Sequence, residues 1–217
     1  MGLKLVIGNK NYSSWSFRPW IAMAVKDIPF EGIVIPLYAE GSREQILAHS
    51  PAGKVPILID GDTHVWESLA ILEYLAEKFP AAGLWPVDAA ARAHARVIAS
   101  EMHAGFVPLR RHCPMNMHRP AKRLDLPADV VADVGRVDAM WSDCRARFGS
   151  GGPFLFGAFS AADAMYAPIV SRFHTYDVSV GASARAYMEA VMALPAWGAW
   201  TTAALQETWV LPHNEID

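Results

Sequence analysis

The chain has 217 residues, of which 53% are hydrophobic and 19% are charged. This composition supplies enough apolar material for a core and excludes a wholly disordered protein. The formal net charge is −3, so the basic excess typical of a nucleic-acid binder is missing. No apolar run reaches the ~20 residues of a membrane span. We expect one large domain or two small ones, binding neither nucleic acid nor membrane.

Cysteine and histidine usage bears on compartment and on metals. The two cysteines, Cys113 and Cys144, are far apart and form no CxxC pattern, and the eight histidines show no metal-ligand spacing. The N-terminal residues lack the long apolar region of a signal peptide. We therefore predict a cytoplasmic protein without a disulfide framework and without a metal site.

Residues 1–80 alternate between strand and helix patterns. Short β-rich runs predict strands, and apolar residues spaced by three or four predict helices. The predicted order is a strand over 3–7, a helix over 15–27, a strand over 31–36, a helix over 42–48, strands over 55–59 and 64–66, and a helix from 68 to the stop at Pro80. This order predicts a small mixed sheet with helices packed on it, its first two strands parallel.

A few residues set the ends of these elements. Ser42 and Ser68 are the expected N-caps of their helices. Pro19 is expected near the start of its helix, where its missing N–H does no harm. Asp60 and Gly61 carry the turn chemistry of a tight hairpin.

The second half of the chain has only helical patterns. Residues 81–88 have linker composition. Helices are predicted over 89–109, 127–148, 160–175, 183–193 and 195–205. Ser160 and Asp163 form a capping box that we interpret as structural. We therefore predict an α/β domain over 1–80, a linker over 81–88 and an all-α domain over 89–217.

The first candidate for chemistry is the segment Asn11-Tyr12-Ser13-Ser14-Trp15-Ser16-Phe17-Arg18. It lies between the first strand and the first helix, a common place for ligand contacts. Ser13 or Ser14 there presents a hydroxyl beside free N–H groups and the positive end of a helix dipole, which stabilises an anion such as a thiolate. The alternative is that these serines only cap the helix.

Two further motifs favour a peptide-like ligand. If the bond between Val55 and Pro56 is cis, the Val55 N–H and C=O are free to pair with a ligand as with one more strand. At the start of the next helix, Ser68 and the first N–H groups offer an anion site, and Glu67 offers a cation site. A ligand with both an α-carboxylate and an α-ammonium group fits that pair, although plain helix capping is the alternative.

In this order, the motifs resemble the cytosolic glutathione transferase family. The resemblance spans nearly the whole chain and is carried by three segments: residues 50–58, 67–75 and 157–163. It implies a glutathione transferase fold, with a thioredoxin-like first domain that binds glutathione and an all-α second domain that completes the electrophile pocket. It also implies a homodimer, glutathione as co-substrate, no metal and a role in detoxification.

The resemblance gives each motif residue a role toward glutathione. Val55, beside Pro56 in cis, pairs its backbone with the cysteinyl unit. Glu67 and Ser68 hold the γ-glutamyl end, and Lys54 lies near the glycyl carboxylate. Many relatives have Gln at the Lys54 position, so this contact departs from the common pattern.

The resemblance implies that a serine hydroxyl activates the thiol of glutathione. Ser14, or its neighbour Ser13, donates a hydrogen bond to the thiolate and forms no covalent bond. A charge-assisted hydrogen bond together with the helix dipole lowers the thiol pKa by about two units, or roughly 2.7 kcal/mol in favour of the anion.

The electrophile pocket is expected to combine Trp15 with one helix of the second domain. Met102, His103, Phe106 and Arg110 recur there at helical spacing. Met and Phe suit an apolar, adaptable pocket, and Arg110 favours a substrate with an acidic group. The alternative is that these side chains pack in the core.

Three functions fit these motifs: conjugation of a small electrophile, glutathione-dependent isomerisation of the maleylacetoacetate type, and non-catalytic glutathione binding by a scaffold module. The first loop is similar to the Ser-Ser-Cys signature of the zeta class, which includes maleylacetoacetate isomerase. However, Trp15 stands where that class has Cys, and Arg172 falls about two residues early for the zeta arginine that binds an acidic substrate. The local pattern favours a serine over Tyr12 as the activating group.

Overall fold

The structure is a computed structural model and describes residues 2–216. Its sheet has four strands in the order β2-β1-β3-β4. Strand β1 is parallel to β2 and antiparallel to β3, and β3 forms a hairpin with β4. The strands are β1 (Leu3–Ile7), β2 (Phe30–Val34), β3 (Ile57–Asp60) and β4 (Thr63–Trp66). The predicted mixed sheet is therefore confirmed, with shifts of at most two residues at strand ends.

The described part of the chain, residues 2–216, contains nine α-helices. Three belong to the sheet-containing half: α1 (Ser14–Val25), α2 (Ser42–Leu47) and α3 (Ser68–Lys78). The other six form the helical half: α4 (Ala89–Ala104), α5 (Val107–His112), α6 (Ala128–Phe148), α7 (Ala161–Thr175), α8 (Ala182–Met192) and α9 (Pro195–Leu205). An α/β half followed by an all-helical half is the predicted architecture. None of these helices is long and apolar enough to cross a membrane.

The single helix predicted over 89–109 is wrong. The helix instead ends at Ala104. At the next residue, Gly105, a Cβ would lie 2.8 Å from the Glu101 carbonyl oxygen. Phe106 then takes a left-handed conformation with φ 58° before α5 starts. Apolar spacing continued across this break because Phe106 and Leu109 are both buried, so the pattern concealed it.

The expected N-caps of α2 and α3 are also wrong by one position. Gly41, with φ 73°, caps α2, and Ser42 is its first helical residue. Glu67 caps α3 with φ 68°, and Ser68 is the first residue of that helix. A non-glycine residue at such a φ costs on the order of 1–3 kcal/mol. The Glu67 backbone is therefore held in an unfavourable conformation by its surroundings.

Two local predictions in the first half need correction. Pro19 lies past the first turn of α1, which starts at Ser14. The hairpin turn consists of Gly61 and Asp62, because Asp60 pairs with Thr63 in the sheet. Gly61 has φ 60°, which explains why glycine is needed there.

The two halves pack through one continuous apolar core. Helix α1 lies between the sheet and α7, and Phe17 of α1 stacks on Trp200 of α9 at 4.7 Å. The segment proposed as a linker is packed as well. Leu84 and Trp85 are buried, and the Leu84 carbonyl accepts the Ala161 N–H at the start of α7. The 81–88 segment is therefore fixed against the start of α7.

The predicted capping box of α7 is confirmed. The fully buried Asp163 carboxylate accepts hydrogen bonds from the Ser160 N–H and hydroxyl, both at 2.8 Å, and from the Leu155 N–H at 3.1 Å. Burial raises the pKa of Asp163 to about 6, although these hydrogen bonds act in the opposite direction. The box therefore joins the loop before α7 to its first turn.

Candidate active site

The three motifs predicted to act together meet at one edge of the sheet. The β1–α1 loop, the loop before β3 and the β4–α3 junction enclose a cavity of about 220 Å³, lined by Trp15, Lys54, Val55, Pro56, Trp66 and Glu67. A second cavity of about 660 Å³ adjoins it and contains Ser13 and Ser14 in its wall. Trp15, Lys54 and Val55 line both cavities, so the two form one cleft.

Neither serine at the start of α1 caps the helix with its side chain. Ser13 is the N-cap by position, but its Oγ donates to the Ser16 Oγ at 2.7 Å, and Ser16 also accepts the Gly8 N–H. Ser14 is the first helical residue. No acidic residue stands in the first turn of α1, so the positive end of its dipole is not neutralised locally.

Ser14 meets a buried arginine from the helical half. The Arg172 Nη2 donates to the Ser14 Oγ at 3.3 Å. Two carbonyl groups fix the guanidinium: Nε donates to Cys113 at 2.8 Å and Nη1 to Pro168 at 3.2 Å. Both Ser14 and Arg172 are less than a tenth exposed. By the resemblance, Arg172 falls about two residues early for the zeta arginine, and the fold places it beside Ser14.

The Val55–Pro56 peptide bond is cis, as the resemblance implies. Among residues 2–216, no hydrogen bond joins the Val55 N–H or C=O to the rest of the protein. Both groups therefore remain available at the wall of the cleft. Lys54 lines the cleft next to them.

The β4–α3 junction places Glu67 and Ser68 differently. The Glu67 carboxylate is half exposed and lies 3.6 Å from the His103 Nε2. The Ser68 hydroxyl is completely buried, accepts from Arg18 at 3.4 Å and points to the sulfur of Met165. The Ser68 hydroxyl therefore contacts only other protein groups, Arg18 and Met165.

Two arginine side chains make cation–π contacts with the Trp15 ring. The Arg18 guanidinium lies 4.1 Å from the centre of its ring, and the Arg110 guanidinium lies 5.2 Å from it. The His103 ring meets Trp15 edge-on at 5.2 Å. Cation–π contacts of this kind orient the indole at the wall of both cavities.

The arginines near Ser14 outnumber the carboxylates that could neutralise them. No carboxylate in the described chain pairs with Arg18, Arg110 or Arg172. Burial, then the charge of Arg110, lowers the pKa of Arg172 to about 10. Burial also lowers the pKa of Arg18, with Arg172 and Arg110 adding to the effect. The region therefore favours an anion.

Two of the residues predicted for the electrophile pocket are core residues. Met102 is fully buried, and Phe106 is buried in the turn between α4 and α5. His103 and Arg110 do not line either cavity, but both contact Trp15, which does. The break at Gly105 removes the common helix face on which the prediction depended.

The sequence analysis missed one wall of the larger cavity. The segment 206–216, here called the strap, returns to the cleft and lines it with Leu211, His213 and Asn214. The Glu207 carboxylate accepts the N–H groups of Lys10 and Asn11 at 2.7 and 3.0 Å. The apolar run from Trp209 to Pro212 is the only signal that could have indicated packing there.

The strap also engages Tyr12. Its Glu215 carboxylate accepts from the Tyr12 hydroxyl at 2.5 Å and from the Asn116 Nδ2 at 3.1 Å. Burial and this hydrogen bond raise the pKa of Tyr12. The Tyr12 proton is therefore already donated to a carboxylate.

The described residues contain no group of three His, Cys, Asp or Glu side chains arranged to hold a metal ion. Cys113 and Cys144 are free and buried, and burial raises their pKa values to about 11 and about 12. Neither thiol therefore has the thiolate character of a reactive cysteine.

Comparisons with known proteins agree with this geometry. The family model "Glutathione S-transferase, N-terminal domain" matches residues 12–78, and "Glutathione S-transferase, C-terminal domain" matches residues 116–203. The "Probable maleylacetoacetate isomerase" of Caenorhabditis elegans is 39% identical over 97 residues, 45% of either chain. "Glutathione S-transferase 1" of Dianthus caryophyllus is 33% identical over 114 residues, 52% of either chain. The aligned parts thus span about half of these relatives.

A solved structure supports the fold over nearly the full length. The glutathione transferase homolog from Burkholderia, with bound glutathione, superposes with a TM-score of 0.71 at 21% identity, covering 94% of this chain and 98% of that one. Together, the two family models match more than half of the described sequence, on both halves of the fold. The chain belongs to the glutathione S-transferase family.

Proposed function

We propose that the protein is a glutathione transferase in which the Ser14 hydroxyl stabilises the glutathione thiolate for attack on a small electrophile. The observation that carries this proposal is the position of Ser14, at the first turn of α1 and in the cavity wall, where its oxygen accepts a hydrogen bond from Arg172. Its own proton is therefore free for the sulfur. Ser13 is bonded to Ser16 and Tyr12 to Glu215, so both are engaged elsewhere.

Glutathione is proposed to lie along the cleft between the two cavities. The Val55 N–H and C=O pair with its cysteinyl unit, Glu67 binds the γ-glutamyl ammonium, and Lys54 lies near the glycyl carboxylate. Because the Ser68 hydroxyl is buried, its backbone N–H at the start of α3 is the group that receives the γ-glutamyl carboxylate. The larger cavity, with its strap wall, receives the electrophile.

Two measurements test the proposed function. Calorimetric titration should show glutathione binding, and a conjugation assay with a chlorinated nitroaromatic acceptor should show turnover. Binding without turnover on this acceptor, on a panel of other electrophiles or on peroxides would instead support a non-catalytic glutathione-binding module. Absence of glutathione binding would contradict both.

Glutathione-dependent isomerisation is the second candidate function. Relatives named maleylacetoacetate isomerase support it, as does the positive region around Trp15, where Arg110 suits an acidic substrate. Conversion of maleylacetone separates the two activities. Isomerisation faster than conjugation would favour the isomerase function, with an acidic substrate, over conjugation of neutral electrophiles.

The Glu67→Ala variant should bind glutathione about 5- to 150-fold more weakly than the wild type. The reason is that a ligand ammonium would be left without its counter-charge, at a cost of ~1–3 kcal/mol. Titration calorimetry measures this change directly. Glu73→Ala, which removes the partner of Arg96 instead, is the control and should leave affinity unaltered. Equal affinities for Glu67→Ala and the wild type would move the γ-glutamyl site elsewhere.

The family pattern also supports a cytoplasmic homodimer related by a two-fold axis. The free, buried state of both cysteines fits a reducing compartment. Size-exclusion chromatography with light scattering measures the assembly: a particle of twice 23.8 kDa supports the dimer, and one of 23.8 kDa opposes it.

A further inference from the structure

We propose that Arg172 is a positioning residue for the thiolate, acting through Ser14. It occupies one lone pair of the Ser14 oxygen and so directs the hydroxyl proton toward the glutathione sulfur. This inference depends on the proposed function, since it concerns the same hydroxyl. It adds a long-range partner, 158 positions along the chain, to the thiol-activating group.

The first step of the argument is that Arg172 is held in place. Its Nε and Nη1 donate to the carbonyl groups of Cys113 and Pro168, which belong to different elements. The third nitrogen, Nη2, has Ser14 as its partner. A guanidinium fixed by two carbonyls has little freedom to turn away, so the bond to Ser14 is preorganised.

The second step is that the Arg172 charge is not neutralised nearby. No ion pair joins it to a carboxylate within residues 2–216, and the charge of another cation, Arg110, opposes its own. A buried charge without a counter-ion is costly. An anion bound at Ser14 would supply the missing partner.

The third step concerns the hydroxyl itself. A serine oxygen has two acceptor sites and one proton. When a cation donates to the oxygen, the O–H bond becomes a stronger donor, because hydrogen bonds in a chain polarise one another. The stronger donor then stabilises a negatively charged sulfur more than a neutral one, which lowers the thiol pKa.

Ser13 provides the comparison within the same loop. It has no arginine partner, and its oxygen donates to Ser16, which accepts from the Gly8 N–H. Two adjacent serines therefore differ in what surrounds them. Only Ser14 is both supplied with a cationic donor and left with a free proton.

The test measures the thiol pKa of bound glutathione. The ultraviolet absorbance of the thiolate is recorded as pH is varied. In Arg172→Gln we expect this pKa to rise by about one unit, and the conjugation rate below that pKa to fall about tenfold. Glutathione affinity should stay within about threefold. Arg136→Gln, which removes an arginine that pairs with Glu101, is the matched control and should leave the thiol pKa unchanged.

Two further variants separate the mechanism from a structural role. Arg172→Lys keeps the charge and should recover part of the lowered pKa, and Arg172→Met replaces Arg172→Gln if a buried amide prevents folding. In the double variant Ser14→Ala with Arg172→Gln, the thiol pKa should equal that of Ser14→Ala alone. Additive shifts would overturn action through Ser14, since Arg172 would then act on the sulfur directly.

The outcomes also separate this inference from the proposed function. If wild-type protein binds glutathione with a lowered thiol pKa and folded Arg172 variants keep that value, only the role of Arg172 is overturned. If the wild-type protein leaves the thiol pKa of glutathione at its solution value, the proposed function fails together with it.

Discussion

Replacing Ser14 with alanine should lower the conjugation rate about 30- to 100-fold between pH 6 and 7, with glutathione affinity within about threefold of the wild type. In the proposed function the Ser14 hydroxyl meets glutathione only at the sulfur, so we expect its loss to change the population of thiolate more than the binding of the tripeptide. Removing a stabilisation of about two pKa units returns the thiol to its ordinary value near 8.5, where only a few per cent is ionised at pH 7.

The measurement is the pH profile of kcat together with the glutathione Kd. For Ser14→Ala the rising limb of the profile should shift to higher pH, and above pH 9 the two proteins should approach each other in rate. Ser13→Ala is the matched control, because it removes a neighbouring hydroxyl that bonds to Ser16. A larger loss of rate in Ser13→Ala than in Ser14→Ala would identify Ser13 as the activating group.

The Asp163→Ala variant should lose about 3–5 kcal/mol of its free energy of unfolding. Its carboxylate satisfies three donors in a completely buried place: the Leu155 N–H, the Ser160 N–H and the Ser160 hydroxyl. Each unsatisfied buried donor costs ~1–3 kcal/mol, and water can recover part of this by filling the cavity. Urea denaturation followed by circular dichroism measures the change, with Asp129→Ala in the first turn of α6 as the control.

The pH dependence of this cost has a definite sign. Burial raises the folded-state pKa of Asp163 to about 6, above its ordinary value of 3.8. Between these two values the folded protein retains a proton that the unfolded chain has lost, so this contribution to stability is complete below pH 3.8 and is lost as pH rises through 6. The destabilisation by Asp163→Ala should therefore be about 1 kcal/mol greater at pH 5 than at pH 7. An equal or smaller cost at pH 5 would contradict the raised pKa.

The sequence predicts well those features that depend on neighbours along the chain. The capping box of Ser160 and Asp163 is local, and the structure has it as predicted. The βαβ order and the hairpin follow from periodicity and turn residues, and the sheet has the predicted pairing. The cis bond between Val55 and Pro56, which the resemblance implies, is present, and Val55 lines the cleft.

Features decided by tertiary contact were predicted less well. The left-handed backbone of Glu67 and Phe106 has no reliable sequence signal, since neither residue favours that conformation on its own. The pairing of Ser14 with Arg172 depends on how α1 packs on α7, which spacing along one chain cannot specify. The strap wall was missed for the same reason, because its partners, Lys10 and Tyr12, lie near the opposite end of the sequence.

The strap has a consequence for the order in which the protein is made. Glu207 and Glu215 hold the loop that leads into Ser14, yet this loop is synthesised about 200 residues earlier. A nascent chain emerging from the ribosome can complete its sheet and most of its helices while that loop still lacks these carboxylates. The cleft is therefore finished only when residues 207–215 have left the exit tunnel, so the proposed site is among the last parts of the fold to form.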